Sequence, residues 1–418
     1  MLYQDFEVSE FIQMSPDEQK IIRTKQFNNY DTHSAVNHAI KTKIEAEQDQ
    51  PFVIIDLDEV VRRYEDWMRW MPTIKPFYAV KCNPNIEILK VLAKLDVNFD
   101  CASKQEIAVV LGLGVSSDRI IFANPCKMIP HLKYAKAHKV SKMTFDSVEE
   151  MVKISKHYPE AELVLRIKTN DENSVCRLSS KFGADLKEIH GILTRAVEIG
   201  VNIIGVSFHV GSGCKDVATY TETLTSVSDI FRLAKDMGIH MNFLDIGGGF
   251  PGTGTFHKQD GVTFMEIAET VNQDISELFD SDVEVVAEPG RYFATSCQTI
   301  VLDVYAKRKK NHGETDTFQY FLSDGLYGTL NCVIFDHAEP AVSVFRSVNE
   351  DEELYESSLF GPTCDSIDCI KKSLLLPELD IGDWIIFYDM GAYTTAAATN
   401  FNGFQITDVT YLQSSHYI

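Results

Sequence analysis

The chain has 418 residues, 44% of them apolar, and its 39 basic against 61 acidic side chains give a formal net charge of −22. At roughly 150 residues per domain this is a globular protein of two to three domains, and the composition excludes a disordered or fibrous chain. So acidic a surface repels phosphate backbones and anionic lipid, which argues against nucleic acid or membrane as a partner.

No uncharged apolar run reaches the roughly 18 residues that span a bilayer. The opening MLYQDFEVSEF carries acids where a signal peptide carries Lys or Arg. Nine cysteines are scattered with no CxxC pair and no zinc spacing, so a reduced, cytoplasmic protein without a metal is expected.

The first 50 residues form an N-terminal segment expected to pack on a β-rich domain. Within it, SPDEQKIIRTK and HSAVNHAIKTKIEAEQ read as helices. PFVIIDLDEVVRRYEDWMRW then supplies a strand and an amphipathic helix. Eight short runs rich in β-branched and aromatic residues follow: 75–81, 97–103, 119–125, 142–147, 162–168, 203–211, 242–250 and 283–291. Stretches with helical spacing separate them, among them NIEILKVLAKL, SKQEIAVVLGLG and SVEEMVKISKHY. Eight alternating units predict a closed (β/α)8 barrel over 51–294 rather than an open doubly wound sheet. The C-terminal strand ends carry Lys81, Asp100, Asn124, Asp146, Arg166, His209, Gly247, Gly248, Gly249, Glu288 and Arg291, where barrels of this kind place their sites. From 295 to 418 the texture changes. TIVLDVYAKRK, TFQYFLSD, VIFDHA, DWIIFYDMG and ITDVTYLQ read as strands of a second, β-sandwich-like domain, with KKNHGETDT as an exposed polar loop.

Several residues can carry chemistry. Lys81 closes the apolar strand FYAVK, where low-dielectric surroundings favour its neutral, nucleophilic amine; the plainer reading is a lysine reaching solvent. DIGGGFPG allows backbone N–H groups to close on a phosphate, or is only a tight turn. GSG at 211–213 is a second small-residue loop. Glu288 can hold a heterocyclic nitrogen protonated or simply pair with Arg291. His209 can be a base, a stacking plate or a core histidine. Cys364, in the loop FGPTCDSID, and Asp336, in IFDHAEP, are open in the same way.

Taken together, PFYAVKCN, FDCASKQEI, FANPCK, MTFDS, LVLRI, CRLSSKFGA, GVSFHVGSGC, LDIGGGFPG, EPGRYF, YGTLNC, FDHA, GPTCDSID and GAYTTAAATNFNGF closely resemble the eukaryotic ornithine decarboxylase family. These are pyridoxal-phosphate enzymes of the alanine racemase fold, and the likeness runs from about residue 50 to 404. The resemblance implies decarboxylation of L-ornithine to putrescine and CO2, the first step of polyamine biosynthesis, in a homodimer with shared active sites. It implies that Lys81 holds pyridoxal 5'-phosphate as a Schiff base and that Glu288 pairs with the ring nitrogen. His209 would stack on the ring, Arg166 lie near its phenolic oxygen and Asp100 at its edge. Ser212, Gly249, Gly290, Arg291 and Tyr393 would hold the phosphate, with Gly247 and Gly248 also among the cofactor-binding residues. Asp336 and Asp365 would receive the substrate's distal ammonium, near Phe335 and Phe401. Cys364 and Asp365 would reach in from the other subunit, with Cys364 protonating the α-carbon. Lys181 and Asp368 would pair across the dimer interface.

Two departures stand out. Phe335 replaces a tyrosine of many relatives, which bears on fine specificity, and the chain ends at Ile418, short of the tail that relatives use for rapid degradation. The competing functions are decarboxylation of lysine or another basic amino acid, and an inactive antizyme-inhibitor-like binding protein. Residues 127–142, with Lys127, Lys133, Lys136, Lys139 and Lys142 and no acid, coincide with the family's antizyme-binding region. They are expected to dock an acidic antizyme-like inhibitor, or to be a solvated helix face.

Overall fold

A computed structural model of the chain describes residues 20–23, 32–47, 50–252, 261–312, 315–345, 352–406 and 408–413. The described residues divide into two compact units, 61–293 and a second made of 20–60 and 294–413.

In the first unit the eight runs become eight parallel strands, Lys75–Ala79, Asn98–Cys101, Ile120–Phe122, Lys142–Phe145, Glu162–Arg166, Asn202–Ser207, Phe243–Asp245 and Glu284–Ala287. Each pairs with the next, and the eighth pairs with the first, so the barrel closes. Phe77, Ile121, Val164 and Phe243, all from odd-numbered strands, pack with Val286 in the interior, the layered filling that alternate strands give such barrels. The intervening helices start where the sequence offers a cap. Asn85, Ser103 and Ser147 each accept a first-turn N–H, and Thr263 forms a reciprocal capping box with Glu266. The helix Leu57–Trp70 completes the ring. Its Trp67 is wholly buried against Phe250, Phe264 and Tyr292, at ring-centroid distances of 5.1–5.5 Å.

The second unit is a mixed sheet. Among the described residues its strands run in the order Lys20–Arg23, Asp408–Gln413, Phe52–Asp56, Gln298–His312, Thr315–Leu322, Leu354–Phe360 and Cys369–Pro377, with Trp384–Phe387 and Ser343–Val344 on a branch. The long strand Gln298–His312 passes from one ladder to another through a bulge between Val304 and Ala306. The helix Thr32–Glu45 lays Ala35, Val36, Ala39 and Ile40 against Phe52, Ile54, Val301 and Trp384.

Four expectations are corrected here. Residues 51–60 belong to the second unit, because Phe52–Asp56 pairs with Gln298–Val301 on one side and Asp408–Leu412 on the other. In SPDEQKIIRTK, Lys20–Arg23 is a strand, parallel to Thr410–Gln413; the rest of that stretch lies outside the described residues. Pairing with a distant segment overrides the local helical pattern. The segment 309–317 is not a loop in its described part: residues 309–312 pair antiparallel with 315–318, while 313–314 lie outside the described residues. Lys309 stands opposite Phe318 and bonds Asp316 at 2.5 Å. VIFDHA is not a strand. Cys332–Phe335 makes one helical turn closed by Asp336 N–H on the Cys332 carbonyl at 3.0 Å. A short apolar run carries no period by which to tell the two apart.

Candidate active site

Lys81 lies in the turn Val80–Cys82 that ends the first barrel strand, and its ammonium pairs with Asp100, fully buried at the end of the second. Gly290 sets that turn's position. A Cβ there would lie 2.9 Å from Cys82 Cβ and 3.2 Å from Ala79 Cβ, so only glycine lets the eighth-strand loop pack on the turn that carries Lys81. Arg166 ends the fifth strand with its guanidinium 5.3 Å from the Phe182 ring centre.

His209 follows the sixth strand. Its Nδ1 accepts the Gly211 N–H at 3.0 Å, which leaves Nε2 to carry the proton of the neutral ring. Burial, then the nearby charges of Arg166 and Lys81, hold its pKa well below the usual histidine value, so the ring is uncharged at neutral pH. The imidazole rests on Gly248, where a Cβ would come within 2.8 Å of Nε2. Gly247, Gly248 and Gly249 therefore have a packing reason in addition to any phosphate role. Ser212 Oγ accepts from Arg291 Nε at 3.3 Å and Nη2 at 3.1 Å, a guanidinium–hydroxyl pair suited to an anion.

Glu288 is buried, and its N–H donates to the Gly247 carbonyl at 2.7 Å. Oε1 has no protein partner, and burial, followed by Asp245 and Asp100, pushes the carboxyl well above its ordinary pKa. A buried acid oxygen left without a donor is a fit for a heterocyclic N–H. Sequence reading passed over its neighbour Asp245, which sits in FLD as an ordinary strand residue; only the register beside Val286 reveals it as part of this wall.

The remaining candidates lie in the second unit. Asp365 accepts the Tyr327 hydroxyl at 2.5 Å and the Ile367 N–H at 3.1 Å, and the Tyr327 bond comes first in holding it below the ordinary carboxylate pKa. The Phe401 and Tyr327 rings lie 4.6 Å apart, tilted by 32°, and the exposed Cys364 is tied through its N–H to Asn402 Oδ1 at 3.1 Å. Tyr327 was the second residue missed; YGTLNC gives no sign that the phenol reaches Asp365. Asp336 closes its own helical turn beside Phe335, which is 69% exposed. Tyr393 holds a left-handed backbone at φ 55°. Asp368 is buried, accepting from Leu326 N–H at 2.7 Å and from Thr363 N–H and Oγ1 at 3.1 and 2.7 Å within its own chain. In the basic stretch, Lys133, Lys136 and Lys139 are exposed, but Lys127 is not: its ammonium is buried, donating to the Thr144 carbonyl and facing Glu150 at 3.6 Å. Among the described residues no helix is long and apolar enough to cross a membrane.

A parallel barrel with a lysine, a buried acid and a guanidinium–hydroxyl pair at its strand ends is the site of a protein that holds an anionic, nitrogen-heterocyclic cofactor. Residues 57–295 match the pyridoxal-binding domain of the pyridoxal-dependent decarboxylases, and the chain belongs to that family, in its eukaryotic ornithine-decarboxylase-type branch. It is 45% identical to antizyme inhibitor 2 of Xenopus laevis, over 88% of this chain and 82% of that protein. It is 44% identical to the ornithine decarboxylase of Mus musculus, over 87% and 80%. Its fold superposes on the arginine decarboxylase of Paramecium bursaria Chlorella virus with a TM-score of 0.84 at 36% identity, covering 91% of this chain and 99% of that one. Pyridoxal phosphate is the cofactor of this family.

Proposed function

We propose that the chain is a cytoplasmic L-ornithine decarboxylase that forms putrescine and CO2 as a homodimer. The observation that carries the proposal is the buried, unpartnered Glu288 oxygen in the same barrel mouth as the Lys81–Asp100 pair and the Arg291–Ser212 pair. Bound pyridoxal phosphate supplies an electron sink for the charge left on the α-carbon. Lys81 would hold it through its amine, Glu288 at the ring nitrogen, and neutral His209 against the ring. Asp100 and Arg166 would border it, and Ser212, the glycines 247–249, Gly290, Arg291 and Tyr393 would bind its phosphate.

Asp336 and Asp365 would take the distal ammonium, with Phe335 and Phe401 lining that end, because a cation taken out of water needs paired charge. Cys364, exposed and tethered to Asn402, would return a proton to the α-carbon, serving with Asp365 the partner's barrel. The exposed Lys133, Lys136 and Lys139 would dock an acidic antizyme-like inhibitor. Replacing all three by Glu should abolish inhibition, and equal inhibition of the variant would reduce them to a solvated face.

A second reading is an antizyme-inhibitor-like binding protein, favoured by the 45% identity to antizyme inhibitor 2. One assay separates these and the lysine or arginine alternatives: release of labelled CO2 from ornithine, lysine and arginine, with and without added cofactor. Release from ornithine above the others supports the proposal. Release from none, by a folded chain, favours the binding protein.

A further inference from the structure

The seventh and eighth barrel strands run in register, Asp245 beside Val286, and the chain leaves the eighth strand through Glu288. Two carboxyls are thereby brought together inside the barrel wall: Asp245 is wholly buried, Glu288 is 8% exposed, and they lie within hydrogen-bonding reach of each other. Asp245 Oδ1 is committed as acceptor of the Gly247 N–H at 2.8 Å. Asp245 Oδ2 and Glu288 Oε1 have no protein donor. The charged groups around them are Asp100, Lys81 and Arg166, with uncharged His209 beside Gly248. Lys81 is already paired with Asp100, so its charge is largely taken up and does little to relieve the other two acids, to which Asp100 itself adds repulsion. Adjacent buried carboxyls cannot both hold a full negative charge, and their low-energy state keeps one proton between them. Burial raises both carboxyls, in keeping with this.

We infer that Asp245 is a positioning residue that acts through Glu288, retaining one proton and donating it from Oδ2 so that Glu288 stays a singly charged carboxylate with Oε1 available to a protonated ring nitrogen. The inference rests on the pyridoxal-phosphate function proposed above. It deepens that reading by naming what fixes the charge and orientation of the acid. A protonated aspartic acid at this place is mimicked closely by asparagine, whose oxygen keeps the Gly247 N–H and whose amide donates to Glu288.

The test uses the purified holoenzyme as wild type, Asp245→Asn and Asp245→Ala. Infrared spectra in H2O and D2O should contain a protonated-carboxyl component in the wild type that Asp245→Asn lacks. After removal and re-addition of pyridoxal phosphate, Asp245→Asn should bind it within about twofold of wild type. Asp245→Ala should weaken binding about tenfold, the worth of one charge-assisted hydrogen bond. A carboxyl component that persists unchanged in Asp245→Asn overturns the inference, as does an Asn variant that binds as poorly as the Ala variant. Should Asp245→Ala not fold, the infrared comparison and the Asn affinity decide. A wild type that binds no pyridoxal phosphate fails the proposed function, and the infrared comparison still decides whether the two acids share a proton.

Discussion

The Tyr327 hydroxyl stabilises the charged form of Asp365, since a phenol that donates to a carboxylate favours ionisation. Tyr327→Phe keeps the ring contact with Phe401 and removes only the donor. Steady-state kinetics on ornithine should then show KM raised about three- to tenfold with kcat nearly kept. The Asp365 pKa moves up in the variant, so the acid-side rise in KM should begin at higher pH. An unchanged KM would mean that Asp365 does not meet substrate. Lys127 poses the opposite problem, a cation with no water. Burial lowers its pKa to about 8 from an ordinary 10.5, and Glu150 opposes that only in part. Between those two values the unfolded chain binds the proton that the folded chain has released. This lysine's contribution to stability therefore rises with pH across that window, by on the order of 3 kcal/mol. Lys127→Met, compared with wild type by urea unfolding, should gain most at and below pH 8 and lose the difference towards pH 10.5. A pH-independent difference would place the amine in water.

At the scale of elements, several barrel helices open on a side-chain cap. Thr263 and Glu266 satisfy each other's backbone donors at the start of Phe264–Leu278. Thr263→Ala should lower stability by about 1 kcal/mol, read as an earlier thermal midpoint, without altering cofactor binding. The helices at 85–95, 103–114 and 147–158 were legible from their apolar spacing; the caps went unread, although SKQE, SVEE and TFME each put a hydroxyl three residues before an acid. The strands were legible because each apolar run stops at a polar residue where barrels put their sites. Lys20–Arg23 was not, because its partner is Thr410–Gln413 and nothing local marks that pairing. The Cys332–Phe335 turn was hidden for a related reason, a short apolar run having no period to read. Within the site, motifs gave the residues that end strands. Asp245 and Tyr327 escaped because their roles come from neighbours, one through register and one through a loop that returns to it.

The whole assembly makes its own prediction. If Cys364 and Asp365 serve a partner's barrel, then Lys81→Ala and Cys364→Ala chains are each inactive but damaged in different halves of a site. Random exchange puts half the dimers in the mixed state, with one intact site of two, so mixing should restore about a quarter of wild-type turnover. Absence of recovery, with exchange shown by mass, would argue that each chain completes its own site.

Phe52–Asp56 pairs with residues that follow the barrel, so the second unit's sheet cannot form when its first strands are made. Roughly 240 residues must still be added, and at about 5–20 residues per second that is on the order of 10–50 seconds. During that interval FVIID, apolar and built for a sheet centre, has neither of its native neighbours, while the contiguous barrel can already close. The order of synthesis thus leaves a sticky strand waiting on a nearly finished domain. The nascent chain, more than the mature protein, is where this fold is most exposed to aggregation and most in need of a chaperone.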